Sequence, residues 1–132
     1  MSIIQAKNVK KTYNADTIPV HALNDVNLNV EEGEFTAIVG PSGCGKTTLL
    51  NILGGLDEAT DGHVEIDGTV ITQMSDGDLI DFRLHNIGFV FQAYNLIPVL
   101  TTKENVEFIM LLQKKDEQLR AERTLELLEE VG

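Results

Sequence analysis

Apolar and polar residues alternate over residues 3–9 (IIQAKNV) and 23–30 (LNDVNLNV), the period of antiparallel strands with one face on a core and the other in water. The polar stretch between them, KTYNADTIPVHA, is punctuated by Pro19 and predicts a hairpin or loop. After the charged turn Glu31-Glu32-Gly33-Glu34, the short apolar run FTAIVG (35–40) ends in glycine and predicts a strand buried on both faces. Residues 46–55 (KTTLLNILGG) predict a short helix stopped by a glycine pair. HVEIDG (63–68) and TVIT (69–72) predict a hairpin about Asp67-Gly68. Residues 76–85 fit a short helix, and NIGFVFQ (86–92) a second buried strand. From Lys103 onward, apolar residues recur at spacings of three and four with charges between them, the pattern of amphipathic helices. The order is an antiparallel β portion, a βα core unit and a helical tail, without internal repeat, low-complexity tract or linker.

Bulk properties narrow the classes. A chain of 132 residues suits one domain with a real core. With 42% hydrophobic and 23% charged residues it reads as an ordinary soluble globular protein. No run reaches the ~18 apolar residues that span a bilayer, and the start MSIIQAKNVKK has no secretory h-region. A membrane role is therefore expected to be peripheral or to run through a partner. Cys44, the single cysteine, cannot form an internal disulfide, which fits a reducing cytoplasm. The net charge of −11 repels nucleic-acid phosphates. It also repels ATP, so a nucleotide site here must make its own positive field from backbone dipoles and a few cations.

One stretch meets that requirement. Gly40-Pro41-Ser42-Gly43-Cys44-Gly45-Lys46-Thr47 fits G-x-x-x-x-G-K-[ST] in full, between an expected strand and an expected helix. The glycines let the backbone take positive φ and approach a ligand. Successive N–H groups then converge on phosphate oxygens, and the helix N-terminus adds its partial charge. Lys46 is expected on the β- and γ-phosphates, Thr47 on Mg²⁺, and Thr48 with them in the nucleotide contact. A glycine-rich strand–helix turn that binds nothing would not require the Lys-Thr pair. Cys44 is either a thiol activated by helix dipole and lysine or a small residue filling a loop position.

Together with this loop, further segments resemble the ABC-type ATPases. Tyr13, at the end of the first expected strand, resembles the aromatic residue on which that family stacks adenine; alone, it would read as a surface tyrosine. Stacking uses the ring face, so loss of the hydroxyl is expected to be nearly silent. IGFVFQ followed by AYNLIPVLTTKENV is similar to the family's Q-loop segment. That resemblance implies a role for Gln92 toward nucleotide, Mg²⁺, attacking water and transmembrane partner; otherwise Gln92 is a strand-end amide. GPSGCGKTTLLNILGGLDEATDGHVEIDG resembles the subgroup serving lipoprotein release, macrolide export and antimicrobial-peptide export, without specifying a cargo.

The resemblance implies an α/β fold: a P-loop NTPase (ABC ATPase) core with an antiparallel β subdomain, over about 1–95, and the start of a helical subdomain, over about 96–132. It implies ATP and Mg²⁺ as ligands, a homodimer of the full-length ATPase, and transmembrane permease subunits as partners. The expected location is cytoplasmic, peripheral on the inner face of the cell membrane, with no nucleic-acid partner. The family's LSGGQ-like signature, Walker B strand and switch histidine do not occur among these residues. Glu126, Glu129 and Glu130 read as a solvated helix face, and His21, His63 and His85 as surface residues. No catalytic residue is therefore assigned, and the chain is expected to be truncated and inactive alone. In the family the loop-bearing and glutamine-bearing strands are not neighbours, so both apolar runs are expected to face gaps. A nucleotide-binding module without turnover is the alternative function, and a soluble ABC-type ATPase a more distant one.

Overall fold

The structure, a computed structural model, describes residues Met1–Gly132. It divides into two compact units, Met1–Ile80 and Asp81–Gly132.

The first unit is built on one antiparallel sheet of order β2-β1-β3-β4. The alternating segments form β1 (Ser2–Tyr13) and β2 (Val20–Glu31), both longer than their alternation alone predicts. β3 (Asp61–Ile66) and β4 (Thr69–Val70) form the expected hairpin. Asp67 and Gly68 turn it with φ of 47° and 73°, the paired positive values that match the twist of the flanking strands. Asn8 and Asp25 also take positive φ, and the register shifts around Ala6/Val9 mark an irregularity in β1. Gly62 passes so close to β1 there that a Cβ would lie 2.5 Å from the Asn8 carbonyl oxygen. No other residue type fits at that crossing.

Helix α1 (Lys46–Leu53) packs on β1 and β2. Its buried face, Leu49, Ile52 and Leu53, meets a core of Ala6, Val9, Leu23, Val64, Ile66 and Ile71. Leu49, Ile52 and Leu53 recur at the three- and four-residue spacings that put them on one helical face. Full burial of a side chain such as Ile52 contributes about 1.5–3 kcal/mol. A 3₁₀ turn (Ile71–Gln73) precedes helix α2 (Asp76–Asn86), which crosses the division between the units.

In the second unit, α3 (Thr102–Leu112) opens with a complete capping box: the Thr101 hydroxyl accepts from the Glu104 N–H while the Glu104 carboxylate accepts from the Thr101 N–H. Asn105 ties the preceding loop down, accepting from Ile97 N–H at 2.8 Å and donating to the Leu100 and Thr101 carbonyls. Helix α4 (Glu117–Val131), capped by Asp116, packs on α3. Arg120 Nε donates to Glu107 Oε1 across that interface at 3.0 Å.

Two sequence expectations are corrected. Residues 35–40 and 87–92 form no strand. Phe35 is 99% exposed, Val39 86% and Val90 102%. A strand exists through hydrogen bonds to its neighbours, and a two-faced burial needs packing on both sides. The one sheet of this chain includes neither run. Phe89 and Phe91 instead stack on each other, with ring centroids 5.7 Å apart.

Candidate nucleotide-binding site

The glycine-rich segment forms an exposed loop leading into α1. Gly43 and Gly45 take φ of 77° and 94°, where a side chain would be strained. Gly45 is also the N-cap of α1, without any side-chain cap, so the first-turn N–H groups are left to other acceptors. A Cβ on Gly45 would sit 2.5 Å from the Ala22 carbonyl oxygen. The loop is thus seated directly on β2, and glycine is required by both conformation and space. A turn bond from Cys44 N–H to the Pro41 carbonyl, at 3.4 Å, closes the other side.

The Lys46 ammonium is held over this loop. Nζ donates to the carbonyl oxygens of Gly40 at 2.8 Å and Pro41 at 2.7 Å, with Cys44 Sγ at 3.8 Å. An ammonium has three donors; two are on carbonyls, and the third faces only a weak sulfur acceptor that an anionic oxygen would replace. Pro41, Ser42, Cys44 and Thr47 are exposed, and Thr48 is half-buried in the first turn of α1. Gly40 carries no Cβ against Cys44 Sγ, which would lie 2.7 Å away; the cysteine side chain lies against Gly40.

The other end of α1 serves Tyr13. The Asn51 carbonyl accepts from the N–H groups of Leu56 and Asp57, at 2.7 and 3.2 Å, which sets Asp57 just beyond the helix. Tyr13 Oη donates to Asp57 Oδ2 at 2.6 Å, and Lys11 Nζ to Asp57 Oδ1 at 2.7 Å. Lys11 Nζ also donates to the Glu58 carbonyl and lies over the Tyr13 ring, 4.8 Å from its centroid. Burial pushes the Asp57 carboxyl up, but the hydrogen bonds from Lys11, Tyr13 and the Glu58 N–H outweigh it and hold the group below the ordinary aspartate range. Lys11 and Asp57 are absent from the sequence expectations. Lys11 was legible as the same-face neighbour of Tyr13, two residues along a strand; nothing near Asp57 signals its partners, 44 and 46 residues away.

Gln92 lies in the second unit, exposed, in a segment without regular structure. The three histidines also find protein partners: His21 with Thr12, His63 with Glu65 and His85 with Asp81. Glu126, Glu129 and Glu130 are exposed along α4.

Residues 23–132, which include the whole loop and α1, match the family described as ABC transporter. The chain belongs to the ABC transporter family. An uncharacterized ABC transporter ATP-binding protein of Methanocaldococcus jannaschii is 48% identical over 130 residues, 98% of this chain and 58% of that protein. The macrolide export ATP-binding/permease protein MacB of Mannheimia succiniciproducens is 40% identical over 132 residues, all of this chain and 20% of that one. Among solved structures, the dimeric ABC transporter cassette MJ0796 superposes with a TM-score of 0.88 at 46% identity, over 96% of this chain and 56% of that one. The same cassette has been solved with ADP and Pi. The chain thus spans little more than half of the stand-alone ABC proteins it matches. The expected fold class, an ABC ATPase core with an antiparallel sheet and following helices, is that of these neighbours. No helix of the ABC chain is long and apolar enough to cross a membrane.

Proposed function

We propose that this chain is the ATP-binding portion of an ABC transporter nucleotide-binding subunit, which in complete form powers export, or lipoprotein or peptide extrusion, by ATP hydrolysis. The observation that carries the reading is the Lys46 ammonium, fixed by the Gly40 and Pro41 carbonyls over a loop that ends in an uncapped helix N-terminus. On a chain of net charge −11, this is a local positive site built from backbone and one cation.

In this reading the backbone from Gly40 to Thr48 receives the phosphates. Lys46 exchanges its sulfur contact for a phosphate oxygen, and Tyr13 takes the adenine. The donor set also fits a magnesium ion, since Thr47 presents an exposed hydroxyl at the start of α1 and Mg²⁺ prefers oxygen ligands shared with phosphates. When bound, the ion would neutralise phosphate charge. A role for Gln92 toward the ion rests on the resemblance of its segment to the family's Q-loop alone. The ATP-bound subunit would dimerise and dock on membrane permease subunits at the inner face of the cell membrane. The solved dimer and the ATP-binding/permease fusion among the relatives support that assembly.

Phosphoryl transfer to water needs an oriented nucleophile and charge stabilisation beyond the γ-phosphate. The loop, Lys46, Thr47 and Tyr13 supply binding alone, so the 132-residue chain is proposed to hold ATP-Mg²⁺ without turnover. Calorimetric titration with ATP-Mg²⁺ tests the assignment. Lys46→Ala should weaken binding by about 2–3 kcal/mol, the scale of a charge-assisted hydrogen bond. Equal affinities would refute the site. Phosphate release that disappears in Lys46→Ala would refute the absence of turnover.

A further inference from the structure

The hydroxyl of Tyr13 is held, although base stacking alone has no use for it. Its ring is fixed from two directions. Asp57 accepts from Oη at 2.6 Å, and the Lys11 ammonium lies over one face, 4.8 Å from the centroid. Lys11 is itself immobilised, at 2.7 Å from Asp57 Oδ1 and 2.6 Å from the Glu58 carbonyl oxygen, with its side chain only 12% exposed. Tyr13 remains 37% exposed. A base can therefore approach only the part of the ring that the ammonium leaves open. Asp57 is placed by the Asn51 carbonyl at the end of α1, the helix whose other end carries the phosphate loop. One short helix thus anchors the phosphate contacts at its start and the aromatic platform at its finish.

We propose that Asp57 is a positioning residue for nucleotide binding: with Lys11 it locks the Tyr13 ring in the orientation that receives the base. This rests on the reading of Tyr13 as the base platform. An aromatic side chain ordered before binding spares the entropy of immobilising it in the complex. A cation behind the ring also draws π-density toward itself, which leaves the open face better matched to an electron-rich base. The tyrosine hydroxyl is accordingly not dispensable, contrary to what stacking alone predicts.

The test separates base contacts from phosphate contacts. Dissociation constants for ATP-Mg²⁺ and for inorganic tripolyphosphate-Mg²⁺ are measured by calorimetry on the 132-residue chain; the tripolyphosphate constant divided by the ATP constant gives the ratio that isolates the contribution of the nucleoside. Tyr13→Phe and Asp57→Ala should each lower that ratio by about threefold to tenfold, the range for loss of one preordered side chain. Tripolyphosphate binding should stay at the wild-type value. The double variant should lose no more than the larger single loss, because both substitutions break the same bond. A conservative Asp57→Asn, which keeps an acceptor oxygen, should recover part of the ratio. Tyr13→Phe removes only a hydroxyl from a part-exposed side chain, so it decides the matter should Asp57→Ala disturb the fold. A wild-type ratio in Tyr13→Phe, with a lowered ratio in Tyr13→Ala, would overturn the positioning role and leave Tyr13 as platform. A wild-type ratio in Tyr13→Ala would overturn the platform reading itself, and the lock with it.

Discussion

The two units of this chain bury different things. In Met1–Ile80, nine hydrophobic side chains lie against one another between a sheet and α1. In Asp81–Gly132 the one buried residue is Thr124, at 0% exposure, with its hydroxyl unpartnered. There Ile109, Leu111, Leu112, Leu119 and Leu125 are half or more exposed, or nearly so. The first unit is held by its own apolar core. The second relies on caps, the Asn105 loop bonds and the Arg120–Glu107 pair. Burial without water favours the closest possible packing of methyl groups, whereas capping and ion pairs each contribute about 1 kcal/mol or less. The candidate site sits on the unit with the stronger framework, which the proposed phosphate contacts would need to be held to a fraction of an ångström.

Core truncation should separate the units most sharply. Ile52→Ala is expected to cost about 2–5 kcal/mol, as buried large-to-small changes do. Leu125→Ala on α4, 54% exposed, should stay within about 0.5 kcal/mol. Urea unfolding of both variants makes the comparison, and similar losses would show that the second unit has an equivalent core.

A smaller effect is expected at the seat of the loop. Gly45→Ala places a Cβ against the Ala22 carbonyl at a φ of 94°. The left-handed conformation alone costs about 1–2 kcal/mol, so a loss of about 2 kcal/mol in urea unfolding is expected. A neutral result would mean that the loop is not tied to the sheet.

Thr124→Val should act in the opposite direction. It exchanges a buried hydroxyl without a partner for a methyl group of the same shape. Relief of that penalty should stabilise the second unit by about 1 kcal/mol, seen as a later loss of helical circular dichroism in urea. Destabilisation would show that the hydroxyl finds an acceptor in solution.

Acid should give the smallest and most graded response. Hydrogen bonds from the Thr101 N–H, and then the Thr101 hydroxyl, hold the Glu104 carboxyl below its ordinary value. A depressed carboxyl adds stability that is fully present above the unfolded value and is lost as pH falls through the folded one. Helical signal should therefore weaken at strongly acid pH, and Glu104→Gln should flatten that limb. An unchanged acid limb in the variant would remove the capping box as its cause.

Much of this organisation was legible because it is local. The loop needs only the succession Gly40 to Thr47, and the Asp67-Gly68 turn only two adjacent residues between short apolar runs. The alternation in β1 and β2 stops short of the strand ends, because Tyr13 pairs with Val20 beyond the alternating stretch. The apolar runs at 35–40 and 87–92 misled because hydrophobicity states a preference for burial and cannot name the strand that would provide it.

The sequence by itself determined the glycine-rich loop, the helix it opens and the hairpin sheet, since each follows from neighbours a few residues apart. Only the tertiary structure decided that Gly45 must lie on Ala22 and that Gly62 must pass under Asn8. It alone joined Tyr13 and Lys11 to Asp57. Hydrogen bonds between residues 44 apart leave no periodic trace in the chain, because their partners are matched by where the backbone returns in space and not by any spacing along it.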